Sequence, residues 1–263
     1  MMNNWVQRMG AVAALAATTA LGGCNASGTI NGEEGVPLSE LDQSGTPPTE
    51  LMVAGSDKVI VTESDTFTVT VEGDDEAAER VRFVRDGNLI GVTRESGDWG
   101  SDWGSSGSAV VRIGMPAPSE IVLGGSGEVE AETIASKAEA IIGGSGSMSI
   151  ARVEAENLEI TIGGSGSMKA AGSAKALDLT IGGSGSANLG DLTADNAEIS
   201  IGGSGSVSLM SDGKVNASIG GSGSIDVTGS AECTLDSFGS GSLNCRPGKA
   251  KASAKSEEDA AAE

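Results

Sequence analysis

Apolar residues in the second half of the chain fall into columns once the sequence is aligned on a recurring Gly-Ser-Gly. The motif begins at Gly125, Gly144, Gly164, Gly183, Gly203, Gly221 and Gly239, at spacings of 19, 20, 19, 20, 18 and 18 residues. Two positions before it stand Leu123, Ile142, Ile162, Ile181, Ile201 and Ile219. Four before it stand Ile121, Ile160, Leu179, Ile199 and Ala217. Four after it stand Val129, Met148, Met168, Ala187, Val207, Ile225 and Leu243. Polar Thr161, Thr180, Ser200 and Ser218 sit between the apolar columns. Such alternation is strand periodicity, one face in and one face out. A repeat of this length marks a solenoid rung and is too short for a helix pair. A leucine-rich repeat would need its Leu-x-x-Leu-x-Leu-x-x-Asn frame, which is absent. The pattern predicts an all-β chain: a single-stranded parallel β-helix (solenoid) of 18–20 residues per rung around a narrow aliphatic lumen.

The glycines fit the corners of such a rung. Glycine takes positive φ without steric cost, and stacked corners leave little room for a side chain. The same stacking predicts a hydroxyl ladder from Ser145, Ser165, Ser184, Ser204 and Ser222. Rungs stack about 4.8 Å apart, so seven span on the order of 30 Å. Each is stable only against its neighbours, and the two ends need caps. The last copy, Ser237-Phe238-Gly239, departs from Ile-Gly-Gly and reads as one.

Further strands precede the repeats: Lys58-Val59-Ile60-Val61, Phe67 to Gly73, Val81-Arg82-Phe83-Val84, Gly87-Asn88-Leu89-Ile90 and Ala109 to Ile113. Ile121-Val122-Leu123-Gly124-Gly125-Ser126-Gly127 then opens the glycine rungs. In this order, over about residues 57–246, the chain resembles the head GIN domain family of auto-transporter adhesins. The resemblance implies a right-handed β-helix and a role in adhesion, with no established activity.

Composition narrows the function. The chain has 263 residues, 41 of them Gly, a net charge of -21, 2% aromatics and no His or Tyr. A basic face for nucleic acid is missing, so no nucleic-acid partner is expected. Without His there is no Ser-His-Asp or Cys-His dyad and no His-ligated zinc. No catalytic residue, metal ligand or cofactor site stands out.

The first 23 residues read as a signal peptide: Arg8 in a positive start, an apolar run from Met9 to Leu21, then Leu21-Gly22-Gly23-Cys24. The end resembles a bacterial lipobox, which makes Cys24 the acylated N-terminus of a membrane-anchored lipoprotein. A plain secretory peptide with an incidental cysteine is the other reading. Asn25, rather than Asp, follows the cysteine, and in the enterobacterial pattern that points to the outer membrane. The organisation expected is a signal peptide over 1–23, a flexible tether over 24–50, a GIN-type β-helix over 51–246 and a disordered tail over 247–263.

Four features carry candidate chemistry. Glu139, Glu159, Asp178 and Glu198 stand five positions before the aligned glycine and form an acidic ladder if the register holds. Carboxylates about 5 Å apart repel by roughly 1 kcal/mol in water, which favours a cation or basic partner; a solvated face tolerates the same repulsion. The ladder also approximates the carboxylate spacing of a retaining glycosidase, but short rungs leave no loops to wall a groove. Trp99 and Trp103, in Gly97-Asp98-Trp99-Gly100-Ser101-Asp102-Trp103-Gly104, form either a partner-binding loop or a lid on the β-helix end. Cys233 and Cys245 occupy inward columns and are either a disulfide or two small hydrophobes. The calcium slot of the RTX nonapeptide, which the Gly-Gly-x-Gly run resembles, holds Met148, Met168 and Ala187 here, so that mechanism is absent.

The reading is an envelope lipoprotein with an adhesion or surface-interaction role toward an unknown protein or polysaccharide. A periplasmic scaffold lipoprotein is the alternative, and a polysaccharide-active enzyme is the third.

Overall fold

The computed structural model describes residues 29–73, 75–95 and 109–246. Its N-terminal part holds β1 (Glu50–Gly55), β2 (Lys58–Glu63), β3 (Thr68–Gly73), α1 (Asp75–Glu79), β4 (Val81–Asp86), β5 (Leu89–Arg94) and β6 (Ala109–Met115). The repeats follow as β7 (Glu120–Gly125), β8 (Glu128–Thr133), β9 (Lys137–Gly144), β10 (Ser147–Gly164), β11 (Ser167–Gly183), β12 (Ser186–Gly203) and β13 (Ser206–Gly221). β14 (Ser224–Thr228) and β15 (Glu232–Gly239) form the next rung, and β16 (Ser242–Arg246) begins one more. The result is a β-solenoid of about seven turns with mostly parallel strands.

The repeat register is the one the columns predict. Ile162 pairs with Ile142 and Ile181, and Leu158 with Ala138 and Leu177. Met148 pairs with Val129 and Met168. These side chains are buried, apart from the partly buried Ala138, and the alternate positions face out, so each rung adds one aliphatic layer to a continuous lumen. A fully buried Ile or Leu contributes about 1.5–3 kcal/mol, which is how a chain with few aromatics holds a core.

The corners explain the glycines. Gly164 has φ +114°, and a Cβ there would lie 2.6 Å from the Gly144 carbonyl oxygen one rung below. The expected hydroxyl ladder is instead an amide ladder. Ser145 N–H donates to Gly125 O at 2.9 Å, Ser165 to Gly144 at 2.9 Å and Ser184 to Gly164 at 2.8 Å. Closely stacked corners put backbone donors over backbone acceptors, and the hydroxyls are left out.

Spatial order departs from chain order at the N-terminal end. β1 lies between β5 and β7, and β2 between β6 and β8. The chain therefore starts in the second rung, builds the outermost rung from β5 and β6, and returns to the third. Two antiparallel strands finish that end, β3 on β6 and β4 on β5.

The expected flexible tether over 24–50 is corrected in its described part. Ile30 and Leu41 are buried, and Val36 bridges Phe83. Gly91 leaves room for Ile30, whose Cδ1 would lie 2.7 Å from a Cβ at that position. Arg85 donates to the Thr46 carbonyl at 2.5 Å and lies 4.6 Å over the Phe67 ring. Gln43 Oε1 accepts from Val69 N–H at 2.8 Å. Sparse apolar residues in a polar stretch show no periodicity, yet three or four anchors dock it as the N-terminal cap.

The last rung is corrected too. Ser237 follows Ile219 in the lumen column and Phe238 follows Gly220 at the corner. Phe238 is 82% exposed, so its side chain does not cover the end of the lumen as a cap would.

Candidate functional site

One register position gathers carboxylates along a single face. Glu139 pairs with Glu159, Glu159 with Asp178, and Asp178 with Glu198. The column is longer than the four residues read from the sequence. Glu120 pairs with Glu139 on the N-terminal side, and Glu50 with Glu120. Leu89 closes one end beside Glu50, and Asn216 the other beside Glu198. Glu120 also stands five positions before Gly125, so the alignment contained it. Glu50 stands five before Gly55, whose corner reads Gly55-Ser56-Asp57, and the missing third glycine hid that copy.

Strand geometry explains the grouping. Alternate residues of each strand point outward, and parallel pairing without slip brings the same position of successive rungs about 4.8 Å apart. An open groove runs beside the column, its other wall formed by the neighbouring outward position, where Lys137, Asn157, Asn196 and Lys214 stand. Glu159, Asp178 and Glu198 are exposed, while Glu50, Glu120 and Glu139 are half-buried. Among the described residues no ion pair reaches any of the six. Burial pushes the Glu120 carboxyl up from its ordinary value, and Glu50 adds to the shift. Burial likewise raises Glu139, helped by Glu159 and Glu120. At these two positions the neighbouring charges add to the effect of burial in opposing ionisation.

This arrangement can attract cations and basic groups but does not enclose them. Among the described residues no three potential ligands converge as a metal site would require. The side chains form a line, not a cage.

The other predicted residues separate from the ladder. Cys233 and Cys245 are joined by a disulfide between β15 and β16, with Cα atoms 6.6 Å apart. Trp99, Trp103 and Cys24 lie outside the described residues. The flanks of the Trp segment are described, and both are held by Asp57. That carboxylate accepts from Arg94 and from the Ala109 amide, so one buried acid ties together the ends of β5 and β6. No helix of the described residues is long and apolar enough to cross a membrane.

Comparison with solved structures finds the same fold at low identity. A putative adhesin from Bacteroides fragilis matches with a TM-score of 0.69 at 20% identity, covering 76% of this chain and 93% of that one. A putative lipid binding protein from Parabacteroides distasonis matches at 0.61 and 20% identity, over 76% and 93%. A putative adhesin from the same organism matches at 0.60 and 20%, over 77% and 94%. Among curated proteins no sequence matches. The family model described as "Putative auto-transporter adhesin, head GIN domain" matches residues 47–231, which is most of the solenoid, and the chain belongs to that family.

Proposed function

We propose that the chain is a cell-envelope lipoprotein that acts by binding and not by catalysis, held at the outer membrane through acyl chains on Cys24. Its solenoid is the presenting surface and serves adhesion or another surface interaction. The observation that carries this reading is the column of six carboxylates, unpaired among the described residues, facing solvent along one regular face. An evenly spaced line of charge suits an extended ligand with matching repeats, such as a basic protein segment or a polysaccharide bridged by divalent cations. The adhesin descriptions of the family and of two related folds support the same class of role. One related structure is described as lipid binding; here the acidic body repels anionic headgroups, which leaves membrane contact to the anchor.

Protease treatment of intact cells, with lysed cells as control, tests the reading. Digestion of the solenoid in intact cells is expected. Protection until lysis would move the protein to the periplasm, where a scaffold role replaces adhesion. Exchanging Glu159→Gln and Asp178→Asn together should then abolish retention of any partner captured by the wild type. Retention that survives both changes would remove the ladder from the binding surface.

A further inference from the structure

Ile30 fixes the chain to the N-terminal end of the solenoid. Its side chain is 1% exposed and, with that of Val84, fills the space beside Gly91 in the outermost layer, formed by β4 and β5. Farther along, Val36 N–H donates to Phe83 O and Phe83 N–H to Val36 O, both at 2.8 Å. Leu41 is buried, and Arg85 donates to the Thr46 carbonyl. Residues 30–46 are therefore part of the body and cannot pay out as a leash.

Cys24 stands six residues before Ile30. Six residues span at most about 20 Å, whereas a free tether over 24–50 would extend to on the order of 90 Å. Posture follows from charge. Anionic headgroups repel a chain of net charge -21. A body lying flat brings its whole acidic flank within the roughly 10 Å over which such charges act. A standing body brings only its cap there. Glu33, Glu34 and Glu40 are exposed on that cap, and the cost of desolvating them keeps it from sinking among the headgroups.

We propose that the solenoid stands on its N-terminal cap, held within about 20 Å of the lipid surface, with its stack axis rising away from the membrane. The carboxylate column then begins beside the membrane at Glu50 and rises through Glu120 and Glu139 to Glu198. The far end of the stack stands on the order of 50 Å from the lipid surface, so a ligand on the column must itself come that close. The inference rests on the acylated Cys24 of the proposed function and deepens it: the partner meets the protein in the layer next to the membrane.

Energy transfer from the full acylated chain to a headgroup-linked acceptor, in vesicles of phosphatidylethanolamine and phosphatidylglycerol, tests the posture. Glu34→Cys and Ser222→Cys each supply one donor site at an exposed position. Cys24 is blocked by its acyl chains, and Cys233 and Cys245 by their disulfide. Transfer from position 34 should exceed that from 222 at least about twofold, because the stack sets the two on the order of 30 Å apart. Equal transfer means the body lies along the membrane, and stronger transfer from 222 means it is inverted; either overturns the proposal. Inserting about twenty Gly and Ser residues after Gly28 should lower both signals and bring them together. A gap that survives the insert shows that something other than the short tether holds the cap, and that also overturns it. Mass spectrometry of the N-terminal peptide separates the two readings. Cys24 without acyl chains removes the envelope reading together with this inference, whereas acylated protein with equal transfer removes the inference alone.

Discussion

Asp57 receives the guanidinium of Arg94 side-on, Nε at 2.7 Å and Nη2 at 2.5 Å. Its Oδ1 also accepts the Ala109 amide at 3.0 Å. Asp57 is 3% exposed and occupies the corner position that Gly127 fills in the next rung, since a Cβ at Gly127 would lie 2.6 Å from the Asp57 carbonyl oxygen. Breaking a buried pair leaves an uncompensated charge, so Asp57→Ala should cost about 3–5 kcal/mol. Urea unfolding checks this, and a loss below about 1 kcal/mol would show that solvent reaches Arg94 freely.

Two glycines of the same stacked corner, one rung apart, should behave oppositely. Gly164→Ala forces φ +114° on a residue with a Cβ and drives that carbon against Gly144. A loss of at least about 2 kcal/mol is expected. Gly182, whose added Cβ meets nothing within 4 Å, should accept Ala within about 0.5 kcal/mol. Equal losses in thermal melts would mean that stacking does not restrict the corners.

The raised carboxyls give a pH signature with a definite sign. Glu120 and Glu139 ionise at higher pH folded than unfolded, so their charged forms oppose folding. The penalty is full above the folded pKa and vanishes once pH falls below the ordinary value of 4.5. Glu139→Gln should therefore raise the melting temperature at pH 7 and lose that advantage on acidification toward pH 4 (about the unfolded carboxyl range). A shift independent of pH would remove the ladder as its cause. Calcium should narrow the same gap at pH 7 by screening the wild-type column.

The disulfide should act locally. Cys233 and Cys245 are 12 residues apart, and closing a loop of that size is worth about 3 kcal/mol. Solenoid rungs fray from their ends. Reduction should therefore speed amide exchange in β15 and β16 while leaving β10 to β12 unchanged. Uniform acceleration would mean that the whole stack unfolds as one unit.

Much of this molecule is legible because its repeated half is written in local rules. Ile142, Ile162, Ile181, Ile201 and Ile219 identify a lumen column before any coordinate is known, and in-register pairing places Glu139, Glu159, Asp178 and Glu198 on one line. Period, corner chemistry and alternation are each set within about twenty residues, and stacking only repeats them. The sequence by itself thus determined the fold class, the rung and four rungs of the acidic face.

Tertiary structure decided what does not repeat. Glu50 joins the ladder only because β1 slots between β5 and β7, a contact between distant segments that no local pattern encodes. Ile30 and Arg85 turn part of an apparent tether into a cap through single long-range contacts. Among the described residues β15 and β16 have no outer neighbour, and a neighbour's absence leaves no periodic trace in the chain.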